Sequence, residues 1–237
     1  MNFENKFLVI IPARAGSKGI FEKNMQLIGN KPLIQFTIEA ALANFNAEDL
    51  LVTSNDQKVL DIAIQLGLKI PFKRPDELST DTVSIADVIK HALHWYEAEY
   101  KSPPKNIILL QPTSPFRDAN DIRLAVEQFN HSKKKTLISA TDAMQHPSDC
   151  ILKNQNGLFK RLEIGKSSLQ RQSYPEVLFI DGGIYISEVS HFLKTQDLIG
   201  DDPEIYKTEQ YNAIDIDTQF DLELARAIYN YKLPHDL

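Results

Sequence analysis

The sequence predicts an α/β protein built on a doubly wound, mostly parallel sheet. Short β-rich apolar runs alternate with helical patterns about four times in the first 140 residues. The first run, residues 7–11, is apolar at every position, as a strand covered on both faces must be. Helical connections between such strands imply right-handed crossovers.

Phe7-Leu8-Val9-Ile10-Ile11 is closed by Pro12, and about twenty residues dense in Gly, Lys and Asn follow. Pro32 then opens a helix with apolar positions at Leu33, Phe36, Ile38, Ala41 and Leu42. Residues 50–53 read as the second strand, and residues 56–66 as a helix stopped by Gly67. Residues 69–72 form a third short strand, and residues 83–100 a helix with Ile85, Val88, Ile89, Ala92, Leu93 and Tyr96 on one face. Residues 107–110 are the cleanest buried strand. After Pro112 and Pro115, a helix covers residues 121–129 with Asn120 as its N-cap, and residues 137–140 are the next strand.

From residue 151 to 211 the pattern changes. Short runs separated by Asn156-Gly157, Gly182-Gly183 and Asp201-Asp202-Pro203 predict hairpins or an excursion from the sheet, with Tyr185 and Ile186 in one more strand. Residues 218–231 close the chain as a helix. No repeat or linker divides it, so residues 1–237 read as a single domain.

With 43% hydrophobic and 24% charged residues, the composition excludes a disordered, collagenous or disulfide-stapled chain. A chain of this length buries roughly 70% of its unfolded surface without a metal staple. The formal net charge of -6 argues against a general nucleic-acid binder. The lone Cys150 has no intramolecular partner, and its neighbours Asp149 and Ile151 do not activate a thiol. The early apolar run is too short for a leader or a membrane span, so a soluble, cytoplasmic protein without membrane or nucleic-acid partners is expected.

Ligands of open α/β sheets bind outside the carboxyl ends of strands, which directs attention to the loop after the first strand. Pro12-Ala13-Arg14-Ala15-Gly16-Ser17-Lys18-Gly19, then Lys23-Asn24, combine cations with glycines that can turn backbone N–H groups toward phosphate oxygens. Residues 1–35 hold five Lys or Arg against two acids, a net +3. Alternatively the loop is a solvated surface segment. Neither the Walker spacing nor the dinucleotide pattern G-x-G-x-x-G is present. Gly16-Ser17-Lys18-Gly19 matches the G-x-x-G of RNA-binding KH modules, but those place it between helices.

Residues 11–19 with Lys23-Asn24 resemble the motif of the CMP-N-acylneuraminate (CMP-sialic acid) synthetases, or acylneuraminate cytidylyltransferases. Further pieces match in order: Arg74-Pro75, Glu77-Leu78 and Asp81-Thr82; Leu110-Gln111-Pro112-Thr113-Ser114-Pro115; Arg171-Gln172; Gly182-Gly183-Ile184-Tyr185; and Ile214-Asp215-Ile216-Asp217-Thr218. The resemblance covers nearly the whole chain. It implies a Rossmann-like nucleotidyltransferase fold that joins CTP to an acidic keto sugar, with release of pyrophosphate. In-line attack on the α-phosphorus is served by positioning and electrostatics.

By that resemblance, Arg14, Ser17, Lys18, Lys23 and Asn24 hold the CTP phosphates, and Arg74 and Ser84 contact the nucleotide. Ser84 is equally placed to start the helix near residue 83. Gln111 either aims at the sugar from the end of a buried strand or belongs to an exposed Pro-rich turn. Asp215 and Asp217, two apart in a strand, point to one face and can share Mg2+, while Ile214 and Ile216 face the core. The other reading is an amphipathic edge strand leading to Thr218 as an N-cap. Arg14, Lys23, Asp215 and Asp217 are the catalytic candidates, and His146 is left unassigned.

Arg171 matches an arginine that handles the sugar carboxylate, but Phe179 stands where a second arginine is expected and Asp149 where a basic residue is common. The nucleotide half of the motif set is intact and the sugar half altered, so the acceptor is sialic acid or a relative such as legionaminic or pseudaminic acid. The resemblance also implies a homodimer clasped through residues 150–202. A Kdo-type cytidylyltransferase and a nucleotide-binding regulator are the alternatives. Residues 197–237 carry ten acids against three Lys or Arg, a local -7 opposite in sign to the first 35 residues.

Overall fold

The computed structural model describes residues 7–101, 103–162 and 175–232. Strand β1 (Phe7–Pro12) runs into a long loop, the short strands β2 (Leu27–Ile28) and β3 (Lys31–Pro32), and helix α1 (Leu33–Leu42). Then come β4 (Leu50–Thr53), α2 (Gln57–Gln65), α3 (Ile85–Tyr100), β5 (Asn106–Leu109), α4 (Ala119–His131) and β6 (Thr136–Asp142). The second half contributes β7 (Ile151–Lys153), β8 (Phe159–Arg161), β9 (Leu178–Glu188), α5 (Val189–Thr195), β10 (Glu204–Lys207) and α6 (Gln219–Lys232).

The main sheet has the order β10-β6-β9-β5-β1-β4 and is parallel except for β9, which runs antiparallel to both neighbours. This is the doubly wound, mostly parallel sheet that the alternation predicts. β1 shows why its run is apolar throughout. Val9 and Ile11 pack on one face with Ile34 and Ile38 of α1 and Val126 of α4. Leu8 and Ile10 pack on the other with Ile89 and Leu93 of α3 and Phe192 of α5. A third cluster, with Ile20, Ile28, Leu33, Ile216, Leu222 and Ala225, docks α6 and the segment before it onto the loop after β1.

Four expectations are corrected. Residues 69–72 form no strand: Pro71 lacks a ladder donor, and Phe72 instead packs edge-on against His91 and Trp95 of α3. The helix after Pro115 starts at Ala119 with Asp118, not Asn120, as N-cap. A reciprocal box decides it, with Asp121 N donating to Asp118 Oδ1 at 2.8 Å and Asp118 N to Asp121 Oδ2 at 3.0 Å. Gly182-Gly183 is not a turn between runs but lies inside β9, where the register with β6 shifts and Gly182 takes φ 74°. Residues 213–217 are not a strand either; Ile216 is buried and its N donates to Thr113 O at 2.9 Å, while Ala213 N donates to Glu209 O at 3.1 Å and Asp217 N to Asp221 Oδ2 at 3.1 Å.

Asn156-Gly157 does form a hairpin, pairing β7 with β8. Among the described residues, no helix is long and apolar enough to cross a membrane.

Candidate active site

Beyond the carboxyl ends of β1 and β5 lies a cleft of about 420 Å3. The chain leaves β1 for β4 on one side and later returns to β5 on the other, so the cleft sits where the strand order reverses. Arg14, Ser17, Lys23, Asn24, Arg74, Gln111, Asp215 and Asp217 all line it. Lys18 and Ser84 do not, and Arg171 lies outside the described residues.

The basic loop is held from several sides. Ala13 N donates to Thr53 O at 3.0 Å, Ala15 N to Asn55 Oδ1 at 2.8 Å, and the buried Asn24 amide to Arg14 O at 3.1 Å. Asn24 therefore shapes the loop as well as lining the cleft. Gly19 packs against the Asp217 backbone so closely that a Cβ there would collide with the Asp217 carbonyl oxygen. Both sides of that contact are backbone, so no rotamer relieves it. Gly19→Ala is expected to push the loop off Asp217 and lower kcat/KM by about tenfold or more, with the melting temperature little changed. Wild-type turnover in that variant would show that the two segments need not touch.

Lys23 joins the opposite ends of the chain. Its Nζ donates to Ile216 O at 2.8 Å and to Asp217 Oδ1 at 3.0 Å. The lysine side chain is 13% exposed and the aspartate 71%, so a nearly buried cation supports a carboxylate that faces the cleft. Asp215 is more enclosed. Burial pushes its carboxyl above the usual range; a hydrogen bond with Thr113 opposes this, and Asp217 adds to it. Its Oδ1 is buried without a hydrogen-bond partner in the structure. Gly182 leaves the room: a Cβ there would stand 3.0 Å from Gln111 Oε1 and 3.8 Å from Asp215 Oδ2.

Arg74 is buried beneath the cleft. Its backbone N donates to Ser54 O at 2.8 Å, its Nε donates to Ser79 Oγ at 3.1 Å, and one terminal nitrogen has no partner. Burial, aided by Arg14, lowers its pKa to about 10, which leaves it cationic at neutral pH. Of the two readings of Ser84, the structure supports the helix start. Ser84 is the N-cap of α3, accepting from Asp87 N at 3.2 Å and donating to Asp87 Oδ2 at 2.7 Å. Thr218 likewise caps α6, exchanging bonds with Asp221.

Two functional neighbours are missing from the sequence reading. Asp81, noted there only as part of a motif, lines the cleft and pairs with Arg14 and Lys18. Arg117, two residues beyond the Pro-rich motif, is fully buried and donates to Gln111 O, Gly183 O and Thr37 Oγ1 at 3.2, 2.9 and 2.8 Å. It ties the Gln111 loop to the β9 bulge, so that Gln111 and Gly182 keep their spacing. Periodicity offers no signal for such a residue, because a charged side chain just before a helix normally reads as solvated. The motif's continuation into Phe116-Arg117 is the one sequence cue.

A family model described as cytidylyltransferase matches residues 8–233. Among curated proteins, the chain is 35% identical over 228 residues to an N-acylneuraminate cytidylyltransferase of Escherichia coli, covering 96% of this chain and 53% of that one. It is 30% identical over 224 residues to a CMP-N,N'-diacetyllegionaminic acid synthase of Legionella pneumophila, covering 94% and 96% respectively. The chain thus spans about half the length of the Escherichia coli relative and nearly all of the Legionella one. A solved CMP:2-keto-3-deoxy-manno-octonic acid synthetase in complex with CTP superposes with a TM-score of 0.67 at 19% identity, covering 96% of this chain and 100% of that one. At that identity the likeness is one of fold.

Proposed function

This chain belongs to the cytidylyltransferase family, and from that premise we propose that it transfers CMP from CTP to the anomeric hydroxyl of an acidic nonulosonic sugar. The observation that carries the reading is the contact of Lys23 with Asp217, which places the basic loop and the carboxylate pair in one cleft. In the reaction the anomeric oxygen forms a bond to the α-phosphorus while the bond to the β-phosphate bridge breaks, and pyrophosphate departs with its charge. Arg14 and Lys23 stand where that charge develops, and the unpartnered Arg74 nitrogen is free to meet an acceptor on the nucleotide. Gln111, anchored through Arg117, addresses the sugar, and Arg171 is assigned to its carboxylate.

Asp215 and Asp217 fit a magnesium ion. The buried, unpartnered Oδ1 of Asp215 lacks the donor or cation that such an oxygen requires, and both groups are hard oxygen donors. Among the described residues no three His, Cys, Asp or Glu converge, so remaining ligands come from water and substrate phosphate, as Mg2+ prefers. Bound there, Mg2+ would offset charge on the phosphates.

The acceptor class, sialic acid or a legionaminic or pseudaminic relative, draws support from the names of the two curated relatives. Incubation with CTP and each sugar should give a CMP-sugar ester detectable by mass spectrometry. Formation of the ester with Kdo alone would place the chain in the rival class. The absence of a pairing partner for Cys150 suits a reducing cytoplasm.

We assign the β7–β8 hairpin to a homodimer clasp. Ile151, Leu152, Leu158 and Phe159 are exposed on it, and Phe179 and Ile180 are exposed on β9. Isolated exposed apolar residues are ordinary, but four on one short hairpin favour an interface. Light scattering at micromolar concentration should give a dimer, and Phe159→Asp should weaken it by roughly tenfold or more. A wild-type monomer contradicts the assignment.

A further inference from the structure

Asp81 sits between two of the cations assigned to the CTP phosphates. One carboxylate oxygen meets Arg14 Nη2 at 2.6 Å and the other meets Lys18 Nζ at 3.0 Å. Arg14 also donates from Nη1 to Gly16 O at 3.1 Å, so its guanidinium is aimed at Asp81 from a fixed loop. Among the described residues, Asp81 makes no other ion pair or hydrogen bond, and its side chain is 36% exposed. It is therefore held by these two cations alone and is free to swing into water.

We infer that Asp81 is a displaceable internal counter-ion: it occupies the anion position of the basic loop when no nucleotide is bound and yields it to the triphosphate. The inference rests on the CTP reading above. Like charges add to the case for such a group, because the buried Arg74 lines the same cleft as Arg14 and Arg14 lowers its pKa. Lys18, whose side chain is 75% exposed, reaches Asp81 from outside the cleft. A triphosphate brings several negative charges against one and displaces the carboxylate. Once pyrophosphate is the species left on the loop, the returning carboxylate competes with it and speeds its release. Asp81 thus lowers affinity for polyphosphate and keeps the loop from holding its product.

The test is calorimetric binding of inorganic pyrophosphate, tripolyphosphate, CTP and cytidine to wild type, Asp81→Asn and Asp81→Ala. Asp81 lies in an exposed loop, so both variants should fold, and thermal melts check it. Removing two exposed ion pairs that must otherwise break should tighten pyrophosphate and tripolyphosphate binding roughly tenfold in both variants and leave cytidine unchanged. Inhibition of turnover by added pyrophosphate should strengthen by a similar factor. Unchanged or weaker polyphosphate binding overturns the inference, because a carboxylate that only steadies Arg14 would leave the loop less able to bind when removed. If wild type binds no CTP, yet the variants still tighten on inorganic polyphosphate, the counter-ion role stands and the CMP-transfer reading falls.

Discussion

Asp215→Asn is expected to lower kcat/KM for CTP by roughly a thousandfold while raising thermal stability. Both halves come from the same geometry. The carboxylate is partly enclosed, feels the charge of Asp217 and has one buried oxygen unpartnered, an arrangement that disfavours the ionised form in the absence of a cation. A carboxyl whose folded pKa lies above its unfolded value loses stability as pH climbs from the unfolded value to the folded one, so the full penalty is in place above the folded pKa. An uncharged amide of the same shape relieves it. We expect a higher Tm than wild type. Turnover should fall at acidic pH earlier than an ordinary carboxylate would dictate, because Asp215 must be ionised to hold a cation. A variant that keeps its activity, or melts well below wild type, removes Asp215 from the catalytic group.

Lys23→Ala is expected to cost about a hundredfold in kcat/KM, comparable to the loss of one transition-state donor. Lys23 has two tasks that an alanine abandons together. It supplies positive charge to the departing pyrophosphate, and it fixes the segment bearing both aspartates through Ile216 O and Asp217 Oδ1. Lys23→Arg should recover part of the charge but not the compact double contact. Arg14→Ala should lower kcat/KM by a similar factor; its present partner, Asp81, would then keep only Lys18. Near-normal turnover in both alanine variants would remove the basic loop from the chemistry.

Much of this site is legible in the sequence, and what is not has identifiable causes. β1 announces itself because both faces are covered, so no polar residue interrupts it. The alternation of Asp215 and Asp217 with Ile214 and Ile216 correctly separates cleft from core, yet the segment is not a strand. The bond from Ile216 N to Thr113 O, the packing of Ile216 and the Lys23 contacts produce the same alternation that a ladder would. Asp118 and Asn120 are equally good caps by residue type, and only the reciprocal bond from Asp121 selects the first. Arg117 escapes detection because composition and periodicity place charges outside, whereas here Gln111 O, Gly183 O and Thr37 Oγ1 accept from the guanidinium inside the protein. The opposite charges of the two chain ends are visible as counts, but their meeting depends on tertiary structure. Lys23 and Asp217 are 194 residues apart in sequence and 3.0 Å apart in space.

The central claim is tested most directly by pyrophosphate release from CTP and Mg2+ against a panel of keto sugar acids that includes sialic, legionaminic and pseudaminic acids and Kdo. The account predicts stoichiometric release with at least one nine-carbon acid, none without Mg2+, and none from Asp217→Asn. Release with no sugar in the panel, from a protein that still binds CTP, would contradict it and point to a nucleotide-binding regulator.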